Sequence, residues 1–451
     1  MAASAIAEGS MRVLGIGDYA DLGDLYLDLV TSGHEVRMYV EEPAYHGVFA
    51  GMVERVDDWR AELDWIRGAG KDGIIVFETA RHGELQDRLR NDGFQVIGGC
   101  AWGDRLEGDR AFGQEVMRRI GMRTAPVRHF TDFMTAMAFI RENPGRYVYK
   151  HNGHHLPSTH NYVGVLPDGS DVIALLHSYR HGWPSGTAPD FILMDHLDGI
   201  ETGVGAYFDG RSFIGPACLD WEHKRFFPGD LGELTGEMGT VVTYQDSARL
   251  FAETLAPMAP LLAAAGYCGY INLNTIINQQ GIWPLEFTCR FGYPGFAILA
   301  ALHPGGWTKV LKAMTGGGGF STDRGYAVGV VLTVPPFPYL PEFDRLSRGM
   351  PILFRGGLSD AERRNLHYGE VGLVDGQPVV SGASGYVLVA TGRGSGVSAA
   401  RRAAYGLLDR VVVPNGRYRH DIGLRFLRHD ARELARLGYL SPPIEDQPGS
   451  G

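Results

Sequence analysis

The sequence is poor in the features that mark whole classes of protein. It has four cysteines, Cys100, Cys218, Cys268 and Cys289, and no two stand at a CxxC spacing. That argues against a disulfide framework or a zinc site and fits a reducing cytosol, so the expected location is the cytoplasm. No apolar run approaches the roughly 20 residues of a membrane span. Residues 1–10 (MAASAIAEGS) lack the basic start and apolar run of a secretory signal and read as a disordered leader. Basic residues are outnumbered, 42 against 52 acidic, for a net charge of −10. A nucleic-acid binder usually carries a basic face, so neither nucleic acid nor membrane is an expected partner. A local positive pocket for a small anionic ligand is still compatible with that balance.

What the chain does have is glycine: 63 of 451 residues, about twice the usual share of about 7%. There is no G-X-Y period, so the excess belongs to tight turns and to loops that approach a ligand. Apolar residues make up 44% and charged residues 21%, the balance of a chain with a real core. The length suggests two to four domains at roughly 100–200 residues each.

Strand, glycine turn, helix, strand over 11–40 opens a parallel α/β sheet, which residues 73–77 and 94–97 continue around a helix at 83–92. A first domain is expected at 11–103. Helices follow at 106–120 and 133–141, and strands at 146–150, 163–165, 191–194 and 202–208. A polar, glycine-rich loop spans 227–240, and a long apolar helix 248–264. Residues 270–277 and 282–287 read as a strand pair turned at 278–281. The run Gly316–Gly319 marks a break before a smaller α/β unit at 319–440. Residues 441–451 read as a disordered tail. No repeat is present.

Two motifs carry little. His151, His154, His155 and His160 have no zinc-ligand spacing and no cysteine or carboxylate with them, so a polar lid over a phosphate fits them better than a metal site. Gly15-Ile16-Gly17 is a fragment of a dinucleotide fingerprint with Ala20 in place of its third glycine, which a simple tight turn explains as well. The informative stretch is 284–295, PLEFTCRFGYPG. A strand there places Glu286 and Thr288 on one face, with Arg290 following. A carboxylate and hydroxyl suit a hard cation and a guanidinium suits phosphate oxygens. The alternative is a surface strand with a salt bridge.

This segment resembles the metal-binding strand of the ATP-grasp ligases, most closely that of the phosphoribosylamine–glycine ligases, which write EFNxRFGDPE where this chain has EFTCRFGYPG. Further similarities follow in order. LEGDRAF at 106–112 is similar to LxGSKxF, VYKHNG at 148–153 to VIKADG, and LDGIE at 197–201 to LxGEE. EHKR at 222–225 is similar to QDHKR, and TGEMG at 235–239 to NTGGMG. Residues 381–387 and 421–426 resemble the family's NGGRVL and DIGWRA segments. The resemblance runs from Met11 to about Arg428.

It implies an α/β protein of ATP-grasp fold: an N-terminal parallel α/β domain at 11–103, an ATP-grasp domain at 104–318 with a lid at about 125–196, and the C-terminal unit. It implies an ATP-dependent carboxylate–amine ligase working through an acyl phosphate, with ATP and Mg²⁺ (or Mn²⁺) as cofactors. Small carboxylates and amines would be its partners, and the protein a monomer or homodimer. Catalysis would be mostly positioning and electrostatics. By the same resemblance Arg110, Lys150, Met194, Asp195 and Glu201 would bind the nucleotide, and Glu286 and Thr288 the metal. Arg290 and Lys224 would contact phosphate or substrate. Asp18, Glu78, Glu222, Thr235 and Glu237 fall at substrate positions.

The departures cluster. Arg110 stands for a lysine and Thr288 for an asparagine. The lysine-containing, glycine-rich loop after VIKADG is replaced by the histidine-rich segment. Near Gly17 the family's GREHA has become Tyr19-Ala20-Asp21, and its GPEAPL has become FETARH at 77–82. Glu222 replaces an aspartate and Glu237 a glycine. Asp18 and Asp21 either oppose a sugar phosphate or cap the next helix. The expectation is a ligase with retained ATP chemistry and a rebuilt substrate site. An authentic phosphoribosylamine–glycine ligase and a non-catalytic nucleotide binder are the alternatives.

Overall fold

The computed structural model describes residues 9–152, 160–184 and 186–442. Residues 1–8 of the expected leader, 153–159 of the histidine-rich segment and 443–451 of the expected tail lie outside them.

The N-terminal sheet contains β1 (Arg12–Gly17), β2 (Glu35–Val40), β3 (Glu54–Arg55), β4 (Gly73–Phe77) and β5 (Gln95–Ile97), all parallel, in the order β3-β2-β1-β4-β5. Every residue of β4 is buried, which is why it reads as an unbroken apolar run rather than an alternation. The second sheet holds β6 (Val127–Phe130), β7 (Tyr147–His151), β8 (Tyr162–Val163) and β9 (Phe191–Asp195) in the order β6-β9-β7-β8. Helices Phe133–Glu142 and Ser170–Gly182 close its core through Phe133, Ile140, Val172 and Leu176.

The remaining strands are β10 (Ile200–Asp209), β11 (Phe213–Glu222), β12 (Arg225–Phe227), β13 (Leu231–Leu234), β14 (Gly239–Thr243), β15 (Cys268–Asn278), β16 (Gly281–Thr288), β17 (Tyr326–Thr333), β18 (Leu353–Phe354), β19 (Leu366–Tyr368), β20 (Val371–Val374), β21 (Gln377–Val380), β22 (Tyr386–Gly394) and β23 (Val411–Val412). Eight of them form one sheet in the order β16-β15-β10-β11-β14-β17-β22-β19.

Several features depart from the sequence reading, each for a physical reason. Of the strands after the 316–319 glycines, β17, β22 and β19 join the eight-stranded sheet, while β18–β23 and β20–β21 are separate two-stranded sheets. β17 pairs antiparallel with β14, so the sheet continues across the expected break at 318/319. The glycine-rich loop 227–240 contains the ribbon β12–β13 and the start of β14. The helix expected at 106–120 is two helices, Ala101–Gly108 and Arg110–Arg119. Asp109 splits them, accepting the Phe112 amide at 3.0 Å as an N-cap. The apolar helix at 248–264 is broken into Ala248–Glu253, Ala256–Met258 and Ala259–Ala264, because Pro257 and Pro260 cannot donate to a continuous helix. Strand β11 has no counterpart in the sequence reading.

The four cysteines are free. No helix among the described residues is long and apolar enough to cross a membrane.

Candidate active site

One face of the eight-stranded sheet, together with β7 and β9, lines a cleft of about 630 Å³. Strand register sets its floor. Glu286 of β16 stands opposite Asn274 of β15, Asn274 opposite Gly203 of β10, and Gly203 opposite Asp220 of β11. The next row runs Thr288, Asn272, Gly205, Cys218. Alternation then brings Glu201 and Glu222 to the same face. The two glycines of β10 are a steric requirement. A Cβ at Gly203 would lie 2.0 Å from Asp220 Oδ1, and one at Gly205 1.8 Å from the Tyr270 hydroxyl. Their absence of side chain lets β15 and β11 touch across β10: Asn272 donates to Asp220 at 2.7 Å and Asn274 to Glu222 at 3.3 Å.

Charges in the cleft fall into connected groups. Glu286 Oε2 faces Arg110 at 3.2 Å and Lys150 at 3.5 Å. Lys150 above all, then Lys224 and Arg110, holds the Glu286 carboxyl far below its ordinary value. Burial presses the Lys150 ammonium below its own ordinary value, against the pull of Glu286. Lys224 bridges Glu201 at 2.7 Å and Glu222 at 3.1 Å. Burial opposes its charge, but these carboxylates outweigh it and raise the ammonium well above its usual range. Arg290 meets Glu107 at 3.2 Å, and the second Glu107 oxygen accepts the Cys289 amide at 2.7 Å. Two of the chain's five lysines are in this one cleft.

The cleft wall brings together Arg110, Lys150, Met194, Asp195, Glu201, Glu222, Lys224, Thr235, Glu237, Glu286, Thr288 and Arg290. Asp195 Oδ1 takes Arg128 at 3.1 Å, and the Thr235 hydroxyl donates to the Lys224 carbonyl at 2.8 Å. Two residues named from sequence are elsewhere. Asp18 is neutralised locally: it pairs with Arg81, accepts from His82 at 2.9 Å, and lies outside the cleft lining. Burial works against the charge of Asp18, yet His82 and Arg81 outweigh it and hold the carboxyl below its ordinary value. Asp18 therefore does not present a bare charge to a phosphate. Glu78 is buried beside Gly17, where a Cβ would come within 2.1 Å of its carboxylate. Burial, with Asp21 nearby, pushes it up to about 8. Asp21 does not cap the following helix, whose N-cap is Leu22 with no side-chain bond. It lines a second chamber of about 420 Å³ with Arg81, Tyr45 and Glu370, joined to the cleft through Glu107, Arg290 and Tyr293.

Of the histidine-rich segment, His151 is not a lid residue. It ends β7, is buried, bonds the Tyr149 hydroxyl at 2.6 Å and stacks on Trp183. His154 and His155 lie outside the described residues.

Sequence reasoning missed Asp220, Asn272, Asn274 and Glu107. The signal for the first three is alternation on two segments that flank β10, LDWE of β11 and YINLN of β15, and for Asp220 it is visible only once β11 is recognised as a strand.

The fold and the cleft define a class, and residues 108–296 match the family model described as phosphoribosylglycinamide synthetase, ATP-grasp (A) domain. The phosphoribosylamine–glycine ligase of Pseudomonas aeruginosa is 30% identical over 367 residues, covering 77% of this chain and 81% of that protein. Among solved structures, the phosphoribosylamine–glycine ligase of Thermotoga maritima superposes with a TM-score of 0.68 at 24% identity, over 91% of this chain and all of that one. The biotin carboxylase domain of Hydrogenobacter thermophilus 2-oxoglutarate carboxylase, solved with MgADP and bicarbonate, shares the fold at 12% identity. Its TM-score is 0.63 over 96% of this chain and 99% of that one. The chain belongs to the phosphoribosylamine–glycine ligase family of ATP-grasp ligases.

Proposed function

We propose that the protein joins a carboxylate to an amine through an acyl phosphate, releasing ADP and phosphate, and that its pair of substrates differs from glycine and phosphoribosylamine. The observation that carries the ligase reading is the Lys150–Glu286–Arg110 cluster facing Lys224–Glu201 across one cleft. Lys150 and Arg110 are the cations for nucleotide phosphates. Glu201, beside the β9 edge residues Met194 and Asp195, is the group for the ribose. Glu286 and Thr288, with Asn274 opposite Glu286, are an all-oxygen donor set that fits Mg²⁺. Mg²⁺, when bound, neutralises phosphoryl charge during transfer. Lys224 and Arg290 hold the charge that develops on the activated carboxylate. No side-chain nucleophile is required.

Altered specificity is supported by two residues of the cleft wall: Glu237, which adds a carboxylate where the family has a glycine, and Glu222, which lengthens the family's aspartate by one methylene. Authentic phosphoribosylamine–glycine ligase activity is the second reading, favoured by similarity along 81% of the Pseudomonas aeruginosa enzyme. ADP release with a panel of amino acids and amines, alongside phosphoribosylamine generated in place, tests both. Efficient formation of glycinamide ribonucleotide would overturn the altered specificity. No turnover with any pair, despite nucleotide binding, would favour a non-catalytic protein.

A further inference from the structure

Counting charges in the cleft leaves a remainder. Glu286, Glu201, Glu222 and Glu107 each have a cation within 3.5 Å. Asp220 and Glu237 have none among the described residues, though each is only 6% exposed. Oδ1 of Asp220 and Oε1 of Glu237 make no hydrogen bond at all, and both residues line the cleft. A buried acceptor left unmet loses its hydration with nothing in return, and the cost is greater when it is charged. Such atoms persist where a ligand meets them.

The surroundings say which ligand. Asn272 donates to the other oxygen of Asp220, so the free oxygen is fixed in direction rather than mobile. Lys224 is already taken by Glu201 and Glu222 and cannot turn to serve Asp220 without breaking those pairs. Tyr207, Tyr270 and Phe291 form an aromatic wall to the same chamber. Ring faces and unmet carboxylates together attract an organic cation. A single metal ion fits poorly. Among the described residues, the one group of three His, Cys, Asp or Glu side chains whose donor atoms converge within 4.8 Å is Asp18, Glu41 and His82, in the N-terminal domain. Asp220, Glu222 and Glu237 are too splayed for that. Three inter-strand steps, about 14 Å at about 4.8 Å each, separate β16 from β11 along the backbone. A group held at Asp220 is therefore distinct from the one handled at Glu286.

We infer that Asp220 and Glu237 form a subsite for an organic cation, an ammonium or guanidinium group carried by the substrate away from its reacting centre. The substrate role of this subsite rests on the ligase reading; the binding itself does not. Mutual repulsion among Glu237, Glu222 and Asp220, on top of burial, raises the Glu237 and Asp220 carboxyls, and a bound cation would restore their charge.

Calorimetric titration of the full chain with agmatine and with putrescine tests the inference, with MgADP titrated in parallel. Both amines should bind. Asp220→Asn and Glu237→Gln, near-isosteric changes, should each weaken them roughly tenfold or more while leaving MgADP affinity unchanged. Circular dichroism and a melting curve check that the variants fold. Wild-type protein that binds MgADP but neither amine would overturn the inference, as would equal amine affinity in both variants. Mg²⁺ alone competing with agmatine, in a manner lost in Asp220→Asn, would overturn it in favour of a metal site. Agmatine binding that depends on Asp220 in a protein unable to bind MgADP would uphold the subsite and sink the ligase reading instead.

Discussion

The two sides of the cleft treat buried carboxylates in opposite ways. On the β16 side, Glu286 is met by Lys150 and Arg110 and is held ionised. On the β11 side, Asp220 has one amide donor and, among the described residues, no cation within ion-pair distance, and burial pushes its carboxyl up to about 8. The first side is electrostatically complete before any ligand arrives. The second is not, and its deficit is a request for positive charge. The lesson is that one cleft can hold a carboxylate already compensated by cations and, three strands away, a carboxyl whose charge burial suppresses.

Breaking the complete side should have the largest effect. Glu286→Gln removes the carboxylate of the oxygen donor set and frees two cations, so turnover measured as ADP release should fall roughly 100-fold or more. Turnover within a few-fold of wild type would remove Glu286 from the metal role.

Next comes the strand between the two sides. Gly203→Ala places a Cβ against the Asp220 carboxylate, which must move away and give up its hydrogen bond from Asn272. Denaturant unfolding should show a loss of roughly 1–3 kcal/mol. Replacing Asp220 by Ala in the same chain should recover part of that loss, because the clash partner is gone.

The pH dependence of stability sharpens the contrast further. Asp220 is raised in the folded state by burial first, then by Glu222 and Glu201, against Asn272 and Lys224. Its contribution is fully present below the unfolded value of 3.8 and is lost as pH rises toward about 8. Asp220→Asn should therefore gain stability on the wild type as pH rises from about 4 to about 8, and the gain should level off above that. Glu286 has the opposite sign. Its contribution is present above the unfolded value of 4.5 and fails only as pH falls below it. Glu286→Gln should show no such widening over the same range. Parallel melting curves at several pH values compare the two, and identical slopes would erase the distinction.

The smallest effect belongs to Thr288. Water can replace a neutral oxygen ligand, so Thr288→Ala should lower turnover less than roughly tenfold.

Much of this protein was legible in the residues themselves. The parallel N-terminal sheet announced itself through β1 and β4, which are buried almost throughout and read as near-continuous apolar runs. The hairpin β15–β16 could be read from two apolar runs around Asn278–Gly281. EFTCRFG named its own face by alternation. Short motifs, being local in sequence, made Lys150, Glu201 and Lys224 candidates, and all three line the cleft.

What the sequence left open depended on pairings between distant segments. Asp18 looked like a free charge until Arg81 and His82, far along the chain, were seen to neutralise it. Asp220 looked like nothing, because strand β11 carries Pro216 and a mixed pattern that periodicity cannot read. Its meaning comes from Gly203 and Asn272, brought beside it by antiparallel register across three strands. Local pattern determined most of the strands and the face of the EFTCRFG segment. Only the tertiary structure decided which carboxylates are compensated, because burial and charge pairing are properties of neighbours in space, not of neighbours in the chain.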